Sequence, residues 1–296
     1  MSPQICLGSA QFGMQYGITN ERGRIPEDDV QVLLERAFIA GVSWLDTAQS
    51  YGNAEAVIGR ALPDHHGFRL VTKLTSQSQA CFSIEDQSIW EHSFRCSLLR
   101  LRVNHVDALL LHSSDDLRKP GAEYLEHWLF GLRERGLVRR LGVSIYESKD
   151  LEDVNANLLD LVQLPLSLYD QRLLADGTIS RLRSHGCAVH ARSLYLQGLL
   201  LNSVNQWPAW IDLTTRAHHA SLEKLACARS ATFLDCALGF ARAQEDLEAV
   251  VLGLCTLQEL EQLLQAWERR SPWHEGEWRG WALQDSSILD PRFWPR

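Results

Sequence analysis

Eight short apolar runs, each followed by a stretch of helical spacing, predict an α/β protein built as a single (β/α)8 TIM barrel. Two further observations support that class. No linker or low-complexity segment interrupts the alternation across 296 residues. The first strand–helix turn also lacks the G-x-G-x-x-G of a doubly wound sheet, the competing arrangement.

The elements follow in order. ICLGSA (5–10) is a short buried strand, and DDVQVLLERAFIAG (28–41) has helical periodicity and stops at Gly41. VSWLDTA (42–48) and RLVTKL (69–74) are strands enclosing a helix, AEAVIGRAL (54–62). The segment 83–103 opens with Ser83 followed by acids, the mark of a capped helix. VDALLLHS (106–113) is a continuous apolar run of the kind buried on both faces of a parallel sheet. A helix over 121–136 ends at Gly136, and VRRLGVSI (138–145) is the fifth strand. KDLEDVNAN (149–157) is read as helix, LVQLPLS (161–167) as strand, 177–186 as helix and CAVHARS (187–193) as strand. Helical stretches at 213–228 and 231–243 precede the eighth strand, LEAVVLG (247–253), and a last helix over 256–267. The Trp-rich tail, about 270–296, holds Trp273, Trp278, Trp281 and Trp294 and lies outside the repeat. It reads as a strap on the barrel, within one domain spanning 1–296.

Composition bounds the function. With 45% hydrophobic and 22% charged residues the chain is an ordinary globular protein. A formal charge of −8 with no basic run argues against nucleic acid or an anionic membrane as partner. No apolar run reaches the roughly 18 residues of a membrane span, and the opening MSPQICLGSA has no signal-peptide pattern. Seven scattered cysteines with no C-x-x-C read as reduced, mostly core thiols of a cytoplasmic protein. No clear metal-ligand spacing lies near the inner mouth; His65-His66 and His218-His219 read as exposed pairs at helix ends.

In a barrel the C-terminal ends of the strands line the mouth that carries chemistry. Four polar residues fall there: Asp46 after the second strand, Tyr51 in the loop beyond it, Lys73 on the third and His112 on the fourth. An Asp at a strand end also serves as a helix cap, a loop Tyr packs, and a strand His is often a hydrogen-bonded core residue. Lys73 is harder to explain so, because an ammonium in a buried strand needs a partner. Asp46 is the expected one. Lys73 beside Tyr51 is expected to lower the phenol from about 10, leaving a proton donor usable near neutral pH. His112 would polarise or orient a carbonyl.

With Asp46 and Tyr51 in "LDTAQSYGNAE", Lys73 in "VTKL" and His112 in "LLLHS", the sequence resembles the aldo-keto reductases and their Asp-Tyr-Lys-His tetrad. The resemblance runs from about Gly8 to the last helix. Within the family, "GSAQFGMQYGITN" and "ARSLYLQGLLL" resemble bacterial reductases linked with sugar or surface-polysaccharide metabolism. It implies reduction of a small carbonyl compound by NADPH or NADH, with Tyr51 as general acid. It also implies a nicotinamide amide held by Ser144 and Gln163, with Ile145 standing where the family has Asn. Arg192, before Ser193, stands where many members stack an aromatic residue on the nicotinamide. A guanidinium there would oppose an oxidised, cationic ring. In "VLGLCTLQELEQLL", which carries Gly253 and Glu259, no Lys or Arg offers a grip for a 2′-phosphate. Glu259 instead suits a free ribose hydroxyl, so NADH stands beside NADPH. Two alternatives remain open: a cofactor-binding regulatory or scaffold barrel, and a lyase or isomerase using Lys73 as a Schiff-base amine.

Overall fold

The apolar runs hydrogen-bond in chain order into a closed barrel of eight strands, every neighbouring pair parallel and β1 joined to β8. The structure, a computed structural model, describes residues 2–63 and 66–295. The strands are β1 (Gln4–Gly8), β2 (Trp44–Asp46), β3 (Arg69–Leu74), β4 (Val106–Leu111), β5 (Val138–Ser144), β6 (Leu161–Pro165), β7 (Ala188–Arg192) and β8 (Ala249–Gly253). Between them run α1 (Ala10–Gly13), α2 (Glu27–Ile39), α3 (Ala54–Ala61), α4 (Asp86–Leu101), α5 (Ala122–Glu134), α6 (Arg172–Ala175), α7 (Thr178–Ser184), α8 (Leu213–Ala228) and α9 (Phe233–Arg242). After β8 come α10 (Leu257–Glu268) and α11 (Ser286–Leu289).

Side-chain alternation along each strand divides the molecule into two cores. Inside the barrel, Cys6, Trp44, Val71, Ala108, Leu110, Leu161, Ala188 and Ala249 form one buried cluster. The alternate residues, such as Leu7, Leu45, Leu70 and Leu109, face the helices and join the larger core between sheet and helices. Trp44 packs edge-on to His190 at 5.0 Å, with the guanidiniums of Arg69 and Arg140 over its ring at 4.0 and 4.7 Å. These groups plug the N-terminal end.

Four expectations need correction. No α-helix forms over 149–157; two short 3-10 turns, Ser148–Leu151 and Ala156–Leu158, stand there instead. Asp153 takes φ 62°, Asp150 binds the N–H groups of Tyr146 and Glu147, and Asn155 binds that of Asn157. Short polar side chains have won those donors from the helix. The helix expected from 83 begins at Asp86, whose carboxylate accepts both the N–H and the hydroxyl of Ser83. Of the seven free cysteines only Cys6, Cys187 and Cys236 are buried, and Cys81 and Cys227 are exposed. Finally, His219 lies inside α8 with no exposed surface, and His218 is partly buried. His65 lies outside the described residues, and His66 is partly buried beside Phe68.

The tail runs across α8, α9 and the loop after β6. Trp273 donates its indole N–H to Cys236 O at 2.8 Å, and Trp278 meets Phe240 edge-on at 5.2 Å. Leu283 N–H donates to Tyr169 O at 2.9 Å, and His218 packs on Trp281 at 5.0 Å.

His219 ties this side of the barrel together. Its ring lies between Trp207 and Phe233, with centroids 4.4 and 4.5 Å away. Its Nε2 donates to Asn202 O at 2.8 Å, leaving Nδ1 to accept the Tyr169 hydroxyl at 2.6 Å. Burial pushes its pKa down to about 4, so the folded state holds it neutral where the unfolded chain takes up a proton. That stability is present above the unfolded value of about 6.5 and is lost as pH falls toward the folded value. Urea unfolding at pH 7.5 and pH 5 should therefore show wild type losing about 2 kcal/mol more than His219→Gln. Parallel losses in the two proteins would mean that His219 is not held neutral.

Candidate active site

Beyond the inner apolar cluster, two residues on along most strands and four along β7 and β8, the same alternation brings one residue per strand to the mouth. They are Gly8, Asp46, Lys73, His112, Ser144, Gln163, Arg192 and Gly253. Every strand-borne residue singled out above for the site, seven of them, belongs to this ring. His112 falls one residue past β4, but its N–H still donates to Leu74 O at 3.0 Å, so the pairing with β3 carries it into place.

Lys73 and Asp46 are 1% and 2% exposed, and their pairing satisfies both. The ammonium donates to Asp46 Oδ1 at 2.8 Å, to Oδ2 at 2.6 Å and to Thr47 O at 2.9 Å. Its three N–H bonds are thereby used. Gln163 adds a third donor to the carboxylate, Nε2 to Asp46 Oδ1 at 2.7 Å, across the barrel from β6. Removing one partner of such a buried pair costs about 3–5 kcal/mol.

Tyr51 comes from the loop after β2 and is held by two glycines. A Cβ on Gly13 would lie 1.9 Å from Tyr51 O and 2.4 Å from Ala54 N. Gly52, at φ +57°, places its own Cβ position 2.5 Å from Gly13 O. The β1 and β2 loops thus touch backbone to backbone, directing the phenol ring to within 5.1 Å of Lys73 Nζ and 5.9 Å, edge-on, of the His112 ring.

The electrostatics differ from expectation at Tyr51. Its pKa is raised well above 10, first by burial and then by the Asp46 carboxylate. Asp46 neutralises the nearby Lys73, so the ammonium does not acidify the phenol. His112 is pushed down to about 4 by burial and by the Lys73 charge, and is neutral near pH 7. Its Nδ1 lies 3.1 Å from Ser50 Oγ. With Ser50 donating, the proton of His112 sits on Nε2, ready to hydrogen-bond an oxygen.

A cavity of about 970 Å³ opens over these groups. Its walls include Asp46, Tyr51, His112, Ser144, Gln163, Arg192, Ser193, Gly253 and Glu259. Lys73 lies beneath, under the ring of Tyr51. Arg192 donates to Ile145 O at 3.0 Å and to Ser193 Oγ at 3.2 Å, and packs on Tyr146 at 4.1 Å. Ile145 itself points into the outer core, 1% exposed. Glu259, in the first turn of α10, accepts the Cys255 N–H at 2.7 Å, while Thr256 caps the Glu259 N–H at 3.0 Å. Three buried polar atoms of lining residues have no protein partner: Ser9 Oγ, Gln163 Oε1 and Tyr195 Oη. Among the described residues, no three His, Cys, Asp or Glu side chains gather as a metal site.

Sequence reasoning missed Ser9, Tyr16, Arg22, Tyr146 and Tyr195, all in the wall. Their common signal is position in a loop after a strand, but loop length alone does not say which side chains fold inward.

A closed parallel barrel whose mouth joins a buried Asp–Lys pair to a Tyr and a neutral His defines a class of barrel proteins that gather a phenol and an imidazole at one cavity. The sequence profile described as Aldo/keto reductase family matches residues 4–275. The chain belongs to that family. An aldo-keto reductase of Mycolicibacterium vanbaalenii is 31% identical over 138 residues, covering 45% of this chain and 46% of that protein. The D-arabinose 1-dehydrogenase of Saccharomyces cerevisiae is 27% identical over 152 residues, covering 49% and 43%. The chain thus spans about half the length of the curated relatives it matches. Among solved structures, the aldo-keto reductase AKR11C1 of Bacillus halodurans superposes with a TM-score of 0.72 at 19% identity, covering 93% of this chain and 90% of that one. At that identity the likeness speaks for the fold.

Gly13→Ala should push the two loops apart, cost about 1–3 kcal/mol of stability and move Tyr51. A melting curve and a turnover assay check it together. A variant that melts and turns over like wild type would show that the backbone contact does not set the phenol's position.

Proposed function

We propose that this chain reduces the carbonyl of a small aldehyde or ketone to an alcohol, with NADH or NADPH as hydride source and Tyr51 as general acid. The observation that carries the reading is the junction of Tyr51, His112 and the Lys73–Asp46 pair at the floor of one cavity. A sugar-derived carbonyl suits the motifs after β1 and β7, and the yeast relative is named for action on a sugar.

The residues present fit a dinucleotide. Gln163 Oε1, buried and without a donor, is placed to accept an amide N–H once its Nε2 is committed to Asp46. Ser9 and Tyr195 offer two more unpaired polar atoms along the same wall. Ser144, Gln163, Arg192, Ser193, Gly253 and Glu259 would hold the cofactor, which when bound supplies the hydride.

The protein's own part is the proton. Tyr51 keeps its hydrogen at neutral pH because its pKa is high. Transfer is still downhill, since the alkoxide that develops on a reduced carbonyl is a stronger base than a phenolate. His112, neutral and donating from Nε2, fixes that oxygen beside the phenol. Lys73, its charge matched to Asp46, lies under the Tyr51 ring and supports the position of the phenol. A Schiff-base role for Lys73 is disfavoured, because all three of its N–H bonds are occupied.

Cofactor choice rests on Glu259 and Arg22. Glu259 is fixed at the start of α10 by Cys255 and Thr256, and its carboxylate opposes a 2′-phosphate. Arg22, on the exposed loop after β1, is one opposing charge in the wall. The fixed carboxylate favours a free ribose hydroxyl, hence NADH.

Titration with NADH and NADPH, followed by tryptophan fluorescence, should show binding, NADH the tighter. No binding of either at millimolar concentration would end the reductase reading. Tyr51→Phe should lower turnover by about 10²–10⁴-fold with cofactor affinity held within a few-fold; near-normal kcat in that variant would remove Tyr51 as the acid. If wild type binds cofactor but turns over no carbonyl, a regulatory barrel is the better description, and the apolar Ile145 in place of an amide ligand would fit it. Glu259→Arg should shift the affinity ratio toward NADPH, and an unmoved ratio would reduce Glu259 to a helix cap.

A further inference from the structure

The ring of strand-end residues at the mouth does not balance electrically. Lys73 and Asp46 cancel, and His112 is neutral, which leaves Arg192 as the uncompensated charge in that ring. Among the described residues Arg192 has no carboxylate partner, whereas Arg292 of the tail is bonded to Asp290 through Nε and Nη2. The guanidinium of Arg192 is nevertheless held firmly. Two of its five N–H donors are committed, to Ile145 O and Ser193 Oγ. Its plane packs on Tyr146 at 4.1 Å, and Arg292 packs on the same ring at 3.7 Å. Arg292, itself paired with Asp290, thus helps to hold Tyr146, and Tyr146 in turn backs Arg192. The remaining donors belong to a residue that lines the cavity alongside Tyr51 and His112.

We infer that Arg192 anchors a carboxylate carried by the carbonyl substrate, so that the substrate class is an acidic aldehyde or ketone. This deepens the reductase reading and rests on it. A half-buried cation with free donors and no counter-ion gains most from a ligand that brings both an acceptor and a charge, and a planar fork matches a carboxylate in two hydrogen bonds. The same carboxylate would offset the repulsion between Arg192 and an oxidised nicotinamide, linking substrate charge to the direction of the reaction.

The test compares size-matched pairs in wild type, Arg192→Met and Arg192→Lys: succinate semialdehyde with butyraldehyde, and D-glucuronate with D-glucose. In wild type the acidic member of at least one pair should have a kcat/KM tenfold or more above its neutral partner. Arg192→Met should reduce that ratio at least tenfold, mainly through KM, and Arg192→Lys should restore part of it. A neutral preference in wild type, or equal losses on both members of each pair with a raised cofactor Kd, would overturn the inference and leave Arg192 with its cofactor role alone. Calorimetry with 4-hydroxybutyrate against 1,4-butanediol, without cofactor and with it, reads the same site without turnover. Selective binding of the acid by wild type, lost in Arg192→Met, supports the anchor even where no carbonyl is reduced, and equal binding by both proteins refutes it.

Discussion

The mouth of this barrel depends on one buried ion pair. Lys73 points inward from β3 into a space that excludes water, and such an ammonium is tolerable only where acceptors surround it. Asp46 on the neighbouring strand supplies two acceptors and Thr47 a third, at 2.6–2.9 Å. Because Asp46 also takes a hydrogen bond from Gln163 on β6, the pair fastens opposite sides of the barrel to one another. The loop carrying Tyr51 leaves directly from Asp46 and is pinned to β3 by Thr47 N–H and Gln49 N–H. The position of the phenol is therefore set by the same contacts that satisfy the lysine.

That arrangement alters how the proposed acid would work. A free ammonium near a phenol would acidify it, but an ammonium already matched to a carboxylate leaves burial and the carboxylate to prevail, and Tyr51 rises. The group that falls is His112. One residue holds its proton tightly and the other stays neutral, so with Ser50 donating to His112 Nδ1 both offer a hydrogen at the same cavity. Two donors converging on one oxygen are what the proposed reduction would need, with the driving force coming from the basicity of the developing alkoxide.

The loops and tail add what the strands lack. The loop after β1 reaches the loop after β7, where Thr19 Oγ1 donates to Gln197 O at 3.3 Å and Gly198 leaves no room for a side chain beside Thr19. Leu196, Gln197 and Gly198 all have positive φ there, the kind of backbone strain that gathers at functional sites. The tail reaches the mouth through Arg292 on Tyr146, while its tryptophans pack on α8, α9 and the nearby loops.

The strands and most helices were legible because their signals are local: an apolar run in a parallel sheet and a 3.6-residue period survive in any context. Asp46, Lys73, His112, Ser144, Gln163, Arg192 and Gly253 were legible for a related reason, since each stands at the end of such a run and alternation turns it inward. The segment 149–157 was not, because Asp150, Asp153 and Asn155 had to choose between the helix and their own backbone. His219 looked like a surface residue until Trp207 and Phe233 closed on it from either side in the chain and Tyr169 reached it from the loop after β6. The sequence by itself determined the barrel and the strand-end residues that reach its mouth. Only the tertiary structure decided their charges and partners, because the sign of a pKa shift depends on burial and on which neighbour lies within a few ångströms, and neither is written in residue order.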